Sequence, residues 1–244
     1  MQKFDKDNDL LIVPDVHGRT FWRDPVMAED YAHVIFLGDY VDPYPHERIY
    51  QEDALKEFCD IITFAKNHPE KVTLLMGNHD MHYFSPLFND LAEGSRFAYE
   101  MLRPMQALYA DYHQLFSLAF EAECEGIRCL FTHAGVSPVW LEEHKDLVGE
   151  PTAESLNALA DSDDGIRALA DVGWARGGWA RSGGPMWADY SEVAVTETLP
   201  DVYQIFGHTQ NIEREPVITR YVACLDCHRT FRLTEVLAAS GALK

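Results

Sequence analysis

No apolar run in the chain approaches the roughly 18 residues that a membrane-spanning helix requires. The first 13 residues lack the basic, apolar and small-residue stretches of an export signal, so a cytoplasmic location is expected, with no membrane as partner. Positive charge is scarce: 20 Lys and Arg stand against 40 Asp and Glu, a formal charge of -20. Such a surface repels phosphate backbones and disfavours nucleic acid as a ligand. Cysteine is sparse as well, and five thiols (59, 124, 129, 224, 227) over 244 residues argue against a disulfide framework. No internal repeat, low-complexity tract or domain boundary is evident, so residues 1–244 are expected to form one large α/β domain. The rest of the composition, 47% hydrophobic and 25% charged, is that of an ordinary globular protein.

One pattern organises the chain. Val34 to Leu37 are apolar without polar alternation, as expected of a strand buried on both faces, and Gly38 lets the backbone turn so that Asp39 and Asp42 emerge at its end. The same sequence of events occurs four more times. Leu10–Pro14 leads to Asp15-Val16-His17-Gly18, and Val72–Met76 to Gly77-Asn78-His79-Asp80. Arg128–Thr132 leads to His133-Ala134-Gly135, and Tyr203–Phe206 to Gly207-His208-Thr209-Gln210. Between these strands, helical material is predicted over residues 21–33, 53–66, 97–119 (with a break at Pro104) and 139–170, and strand-like alternation over 220–236. Open α/β sheets place their ligand crevices at the carboxyl edge of such strands. A single D-x-H is common by chance; five apolar runs each ending in metal-ligand residues are not.

The five strand ends supply Asp15, His17, Asp39, Asn78, His133 and His208. Mixed nitrogen and oxygen donors suit Mn, Fe or Zn better than Ca or Mg. A carboxylate bridging two ions roughly 3.5–4 Å apart is an arrangement used for phosphoryl displacement, with a shared water as nucleophile. His79 lies beside a ligand without being needed as one, so it is the candidate for protonating the leaving oxygen, and Asp42 for fixing its tautomer.

The ordered blocks D-x-H, G-D-Y-V-D, G-N-H-D, H-A-G and G-H-T, spread over most of the chain, resemble the calcineurin-like metallophosphoesterases. Within them the resemblance is closest to the serine/threonine phosphatase branch and its bacterial relatives. It implies a four-layer α-β-β-α sandwich with two central mixed β-sheets. It further implies that Asp15, His17 and Asp39 hold a first divalent ion, and Asp39, Asn78, His133 and His208 a second, manganese before iron or zinc. His79 with Asp42 is then the acid pair, and the partner is a phosphorylated protein or small molecule. The expected activity is a phosphomonoesterase; the alternative is a phosphodiesterase or dinucleoside polyphosphate hydrolase. A non-catalytic scaffold would be expected to lose its acid histidine or several ligands, and this chain keeps them all.

Three departures stand out. Pro43-Tyr44 occupies the place of the branch's usual Arg-Gly, Leu75 stands where an arginine usually precedes G-N-H, and Gln210 replaces the second histidine of G-H-x-H. Arg19, Arg176 and Arg181 are the candidate substitutes for clamping phosphate, since guanidinium pairs with phosphate oxygens bidentately. The stretch Gly173–Trp187, rich in Gly and Trp, is predicted to be a loop over the site. Its three tryptophans could stack on a base or ring, with packing against the sandwich as the default. Cys224-Leu225-Asp226-Cys227-His228 matches the haem-attachment spacing, but two strand cysteines are the better expectation.

Overall fold

The computed structural model describes residues 1–92, 95–194, 199–211 and 213–243. Among these residues the strands are β1 (Gln2–Phe4), β2 (Leu10–Val13), β3 (His33–Phe36), β4 (Val72–Leu75), β5 (Phe116–Ser117) and β6 (Ala119–Cys124). They continue with β7 (Ile127–Thr132), β8 (Tyr203–Phe206), β9 (Val217–Ile218), β10 (Val222–Cys224) and β11 (Phe231–Arg232). One sheet runs β1-β6-β7-β8-β10-β9 and the other β11-β2-β3-β4-β5. Both are mixed, with β2, β3, β4 and β5 parallel in one and β7, β8 and β10 parallel in the other. No described helix is long and apolar enough to cross a membrane.

The unbroken apolar runs are explained by burial of both faces of each sheet. Leu10, Ile12, Ile35 and Leu75 point between the sheets and meet Phe131, Ile205 and Ala223 from the other one. Their neighbours Leu11, Val13, Val34 and Phe36 point outward onto Phe58, Ile61, Ile62 and Ala65 of the helix Gln51–Asn67. On the far side, Leu130 and Ala119 carry Trp140, Leu156, Leu159 and Leu169 from the short helices after β7. The result is the expected order of helix, sheet, sheet, helix.

The predicted helix over 97–119 is shorter than expected. It spans Leu102–Tyr112, and Pro104 does not break it, because a third helical residue has no acceptor for its N–H within the helix. Residues 116–124 instead form β5 and β6. A hairpin turn at Glu125 (φ 51°) and Gly126 (φ 82°) then joins β6 to β7, both residues in the left-handed conformation that two-residue hairpins favour. The predicted strand material over 220–236 ends early, since Leu233–Ser240 is a helix.

The loops after β3 and β4 are interlocked by one side chain. Asp80, fully buried in the short helix Asn78–Phe84, accepts hydrogen bonds from the backbone N–H of Gly77 (2.9 Å), Asp39 (2.8 Å) and Tyr40 (3.0 Å). Gly77 has to be glycine: a Cβ there would lie 2.1 Å from Asp39 Oδ1.

Asp80→Ala leaves three buried amides without an acceptor, at about 1–3 kcal/mol each. The variant is expected to lose about 3 kcal/mol or more in denaturant unfolding; a loss below about 1 kcal/mol would show that water replaces the carboxylate. His33 supplies a second test. It is buried, bonds Thr73 Oγ1 (2.9 Å), stacks on Phe120 (5.3 Å between centroids), and burial pulls its pKa down to about 4. Between about pH 6.5 and 4 the unfolded chain takes up this proton and the folded chain does not, so stability falls as pH falls. Over that window the protein should lose about 2–3 kcal/mol more than His33→Gln, whereas parallel pH profiles would count against it.

Candidate metal centre and acid pair

The carboxyl ends of β2, β3, β4, β7 and β8 meet where the two sheets adjoin, and the structure brings all six candidate ligands there. Backbone carbonyls set the tautomers. His133 Nδ1 donates to the Leu37 carbonyl (2.8 Å) and His17 Nδ1 to that of Val41 (2.7 Å), so in each neutral ring Nε2 carries the lone pair. His133 Nε2 lies 3.0 Å from Asn78 Oδ1, 3.2 Å from His208 Nδ1 and 3.5 Å from Asp39 Oδ1. His17 Nε2 lies 3.5 Å from Asp39 Oδ2. Two groups follow, Asp39-His133-His208 and Asp15-His17-Asp39, each with ligand atoms within 4.8 Å of one another and with Asp39 common to both.

Electron pairs facing one another in a buried site are unfavourable until a cation lies among them. Burial holds His17 and His208 well below the usual histidine range and lowers His133, giving the neutral imidazoles that ligation requires. Burial also pushes the Asp39 carboxyl up to about 8 and that of Asp15 up to about 6, a cost that divalent cations would offset. The donor set therefore fits two metal ions. His17 (φ 46°), Asp39 (φ 53°), Asp42 (φ 59°) and His208 (φ 64°) all adopt the left-handed conformation, local strain of the kind that gathers at functional sites. Gly207 makes room for one such turn: a Cβ on it would come within 1.9 Å of Asp15 Oδ1, whose carboxylate accepts from the His208 N–H (3.0 Å).

His79 is braced beside this centre. Its Nδ1 bonds Asp42 Oδ2 (2.8 Å), its N–H donates to Asp39 Oδ1 (3.0 Å), and its ring lies edge-on to His17 at 5.2 Å. Burial lowers His79 and raises Asp42 to about 7; both shifts disfavour the charged forms, so the pair is net neutral with one proton held between Nδ1 and Asp42 Oδ2, and Nε2–H is left for a substrate. The Tyr83 hydroxyl donates to the second oxygen of Asp42 and accepts from the Ala98 N–H. Sequence reasoning missed Tyr83, although its signal was there: His79 and Tyr83 sit four apart on one helix and so share a face.

The three candidate arginines occupy different positions. Arg19 is buried, forks onto Glu47 (2.9 and 3.1 Å) and donates to the Asp15 carbonyl. Arg176 donates to Thr209 Oγ1 and the His208 carbonyl and pairs with Asp189 (3.1 Å), so it holds the loop of one ligand. Arg181, with its side chain 68% exposed, pairs with Glu143 and makes no contact with the ligand residues. The guanidinium that does reach the centre is Arg96. Its Nε donates to the Asp42 carbonyl (2.8 Å), its Nη2 lies 3.1 Å from His17 Nε2, and its Cζ stands 3.7 Å from the centroid of the Tyr44 ring. Nothing in the local sequence marks it, since its partners lie 54 and 79 positions away.

The Gly- and Trp-rich stretch is a loop closed by a bridge between Gly173 and Ala180. Packing is not the fate of all its tryptophans: Trp174 is 67% and Trp179 96% exposed, whereas Trp187 lies half-buried between His82 (5.5 Å) and His208 (6.0 Å). Gln210 turns its amide to His228 Nε2 (2.8 Å) rather than into the ligand cluster. Cys224 lies in β10 and Cys227 just beyond it; both are buried and unpaired, as are Cys124 and Cys129, while Cys59 is half-buried and unpaired.

No curated protein matches the chain. Among solved structures, one described as a cold-active protein tyrosine phosphatase is 20% identical, covering 93% of this chain and 72% of its own, with a TM-score of 0.55. A protein serine/threonine phosphatase from Saccharomyces cerevisiae is 12% identical, covering 92% of this chain and 70% of its own, with a TM-score of 0.51. These identities speak for the shared fold. Residues 10–211 match the calcineurin-like phosphoesterase family, a span that contains all six candidate ligands and the His79–Asp42 pair. The chain therefore belongs to the calcineurin-like phosphoesterases and is a metal-dependent phosphoester hydrolase.

Proposed function

We propose that the protein is a phosphomonoesterase with a two-ion centre, acting on a phosphorylated protein or a small phosphate ester. The observation that carries this reading is the His79–Asp42 contact (2.8 Å) beside two convergent donor groups that share Asp39. The phosphatase names of two structural relatives, one tyrosine and one serine/threonine, fit a phosphoprotein substrate. Asp15, His17 and Asp39 would hold one divalent ion, and Asp39, Asn78, His133 and His208 the other, with manganese, iron and zinc all compatible with these donors. When bound, the ions supply Lewis acidity toward the phosphate oxygens and toward a water. The chain's own residues do the rest. Arg96, half-buried and braced by the Asp42 carbonyl and Tyr44, is the fixed cation positioned to pair with phosphate. His79 gives its Nε2 proton to the departing oxygen, while Asp42 holds Nδ1 and stabilises the imidazolium beforehand. Tyr83 keeps Asp42 in place. A cytoplasmic setting accords with five unpaired thiols.

A second reading, hydrolysis of a diester or dinucleoside polyphosphate, draws on the exposed Trp174 and Trp179, which offer faces for stacking. The manganese-loaded protein should cleave para-nitrophenyl phosphate faster than its bis-ester and stop on chelation. Diester preference, with nucleotide rather than free phosphate released, would put the second reading first. His79→Asn should lower kcat on the order of 100-fold on an alkyl phosphate and clearly less on para-nitrophenyl phosphate, whose leaving group needs little protonation. Equal losses on both would remove the acid role. Arg96→Ala should lower kcat/KM by about 10- to 100-fold, the worth of one charge-assisted hydrogen bond. Unchanged kcat/KM would leave the clamp unassigned.

A further inference from the structure

His82 has no part in the centre described above, yet it is fully buried and neither ring nitrogen has a hydrogen-bond partner among the described residues. A buried polar side chain left wholly unsatisfied is uncommon and unfavourable. Its surroundings are chemically specific. The ring stands 5.3 Å from that of His79, and a ligand atom from each of Asp42, His79 and His82 falls within 4.8 Å of the others. All three are buried. Burial holds His82 at about 3, so its nitrogens offer a lone pair rather than a charge.

We propose that Asp42, His79 and His82 form a third cation site, separate from the two-ion centre and selective for zinc-like ions, whose occupancy disables the acid pair. Two imidazoles and one carboxylate suit a borderline-soft ion that accepts four-coordinate geometry, and suit magnesium or calcium poorly. Bonds of about 2.1 Å draw tetrahedral ligand atoms to about 3.4 Å apart, so the groups close in modestly on binding. The ion takes the place of the proton between His79 Nδ1 and Asp42 Oδ2. From the net-neutral pair, one proton leaves to solvent for each ion bound. Tyr83, on the other oxygen of Asp42, supplies the outer hydrogen bond that orients the carboxylate. Loss of turnover rests on the His79 role proposed above; binding does not.

The test compares manganese-loaded wild type with His82→Gln and His82→Phe, each confirmed as folded by thermal unfolding. Each protein is dialysed against buffered excess free zinc, and total metal per chain is counted by mass spectrometry. Because total ions are counted, exchange of manganese for zinc in the two-ion centre does not alter the comparison. Wild type should hold one more ion per chain than either variant, and the zinc concentration that halves turnover should rise at least about tenfold in the variants. Equal counts in wild type and variants overturn the proposal, as does a shift in inhibition without a difference in count. Asp39→Asn separates this from the two-ion reading: it should lower the count through the main centre while the ion that depends on His82 stays.

Discussion

One carboxylate fixes the distance between the two loops on which the rest depends. By accepting from Gly77, Asp39 and Tyr40, Asp80 determines where the backbone leaves β3 and where the helix after β4 begins. Asp39 can then turn one oxygen toward His133 and the other toward His17, while the His79 N–H caps the first of them. Had those amides been left to solvent, Asp39 would have had no fixed direction. Asp80 acts entirely through backbone and never needs to touch a substrate.

A second layer of control is the choice of tautomer. Each ligand histidine whose Nδ1 meets a backbone carbonyl has its lone pair assigned in advance, and these carbonyls belong to the end of β3 and the loop after it rather than to side chains. His79 differs in that its Nδ1 meets a carboxylate, which can stabilise a charge as well as an orientation. One residue type thus serves two chemical purposes, and the distinction lies in what faces Nδ1.

Much of this was legible in the sequence, for a physical reason. A strand buried on both faces must be apolar throughout, and residues emerging at its carboxyl end cannot all be accounted for by packing, so His17, Asp39, His79, His133 and His208 stand out by position and type. The four layers were legible only through the resemblance to the calcineurin-like metallophosphoesterases, since buried apolar runs do not say how many sheets they form. Strands β5 and β6 were missed because Phe116–Cys124 mixes apolar and acidic residues on a half-buried strand, which a helical period also tolerates. Arg96 was illegible because its meaning comes wholly from a long-range contact with the Asp42 carbonyl, and a lone arginine in a loop has a solvated surface as its default. Arg19 and Arg176 carry the opposite lesson: near the motifs in sequence, they are held by Glu47 and by the Thr209 loop respectively.

The ligands divide unevenly between the sheets. Asp15, His17, Asp39 and Asn78 come from the five-stranded sheet, and His133 and His208 from the six-stranded one. Between the two, at this edge, lie apolar contacts and two hydrogen bonds, from His133 Nδ1 to the Leu37 carbonyl and from the His208 N–H to the Asp15 carboxylate. Apolar contacts resist separation but not sliding. An ion shared by Asp39 and His208 would therefore work as a cross-link that closes a loop of well over a hundred residues, much as a disulfide does, in a chain whose five thiols are all unpaired. The edge that does the chemistry would then also be the edge at which the sandwich is riveted shut.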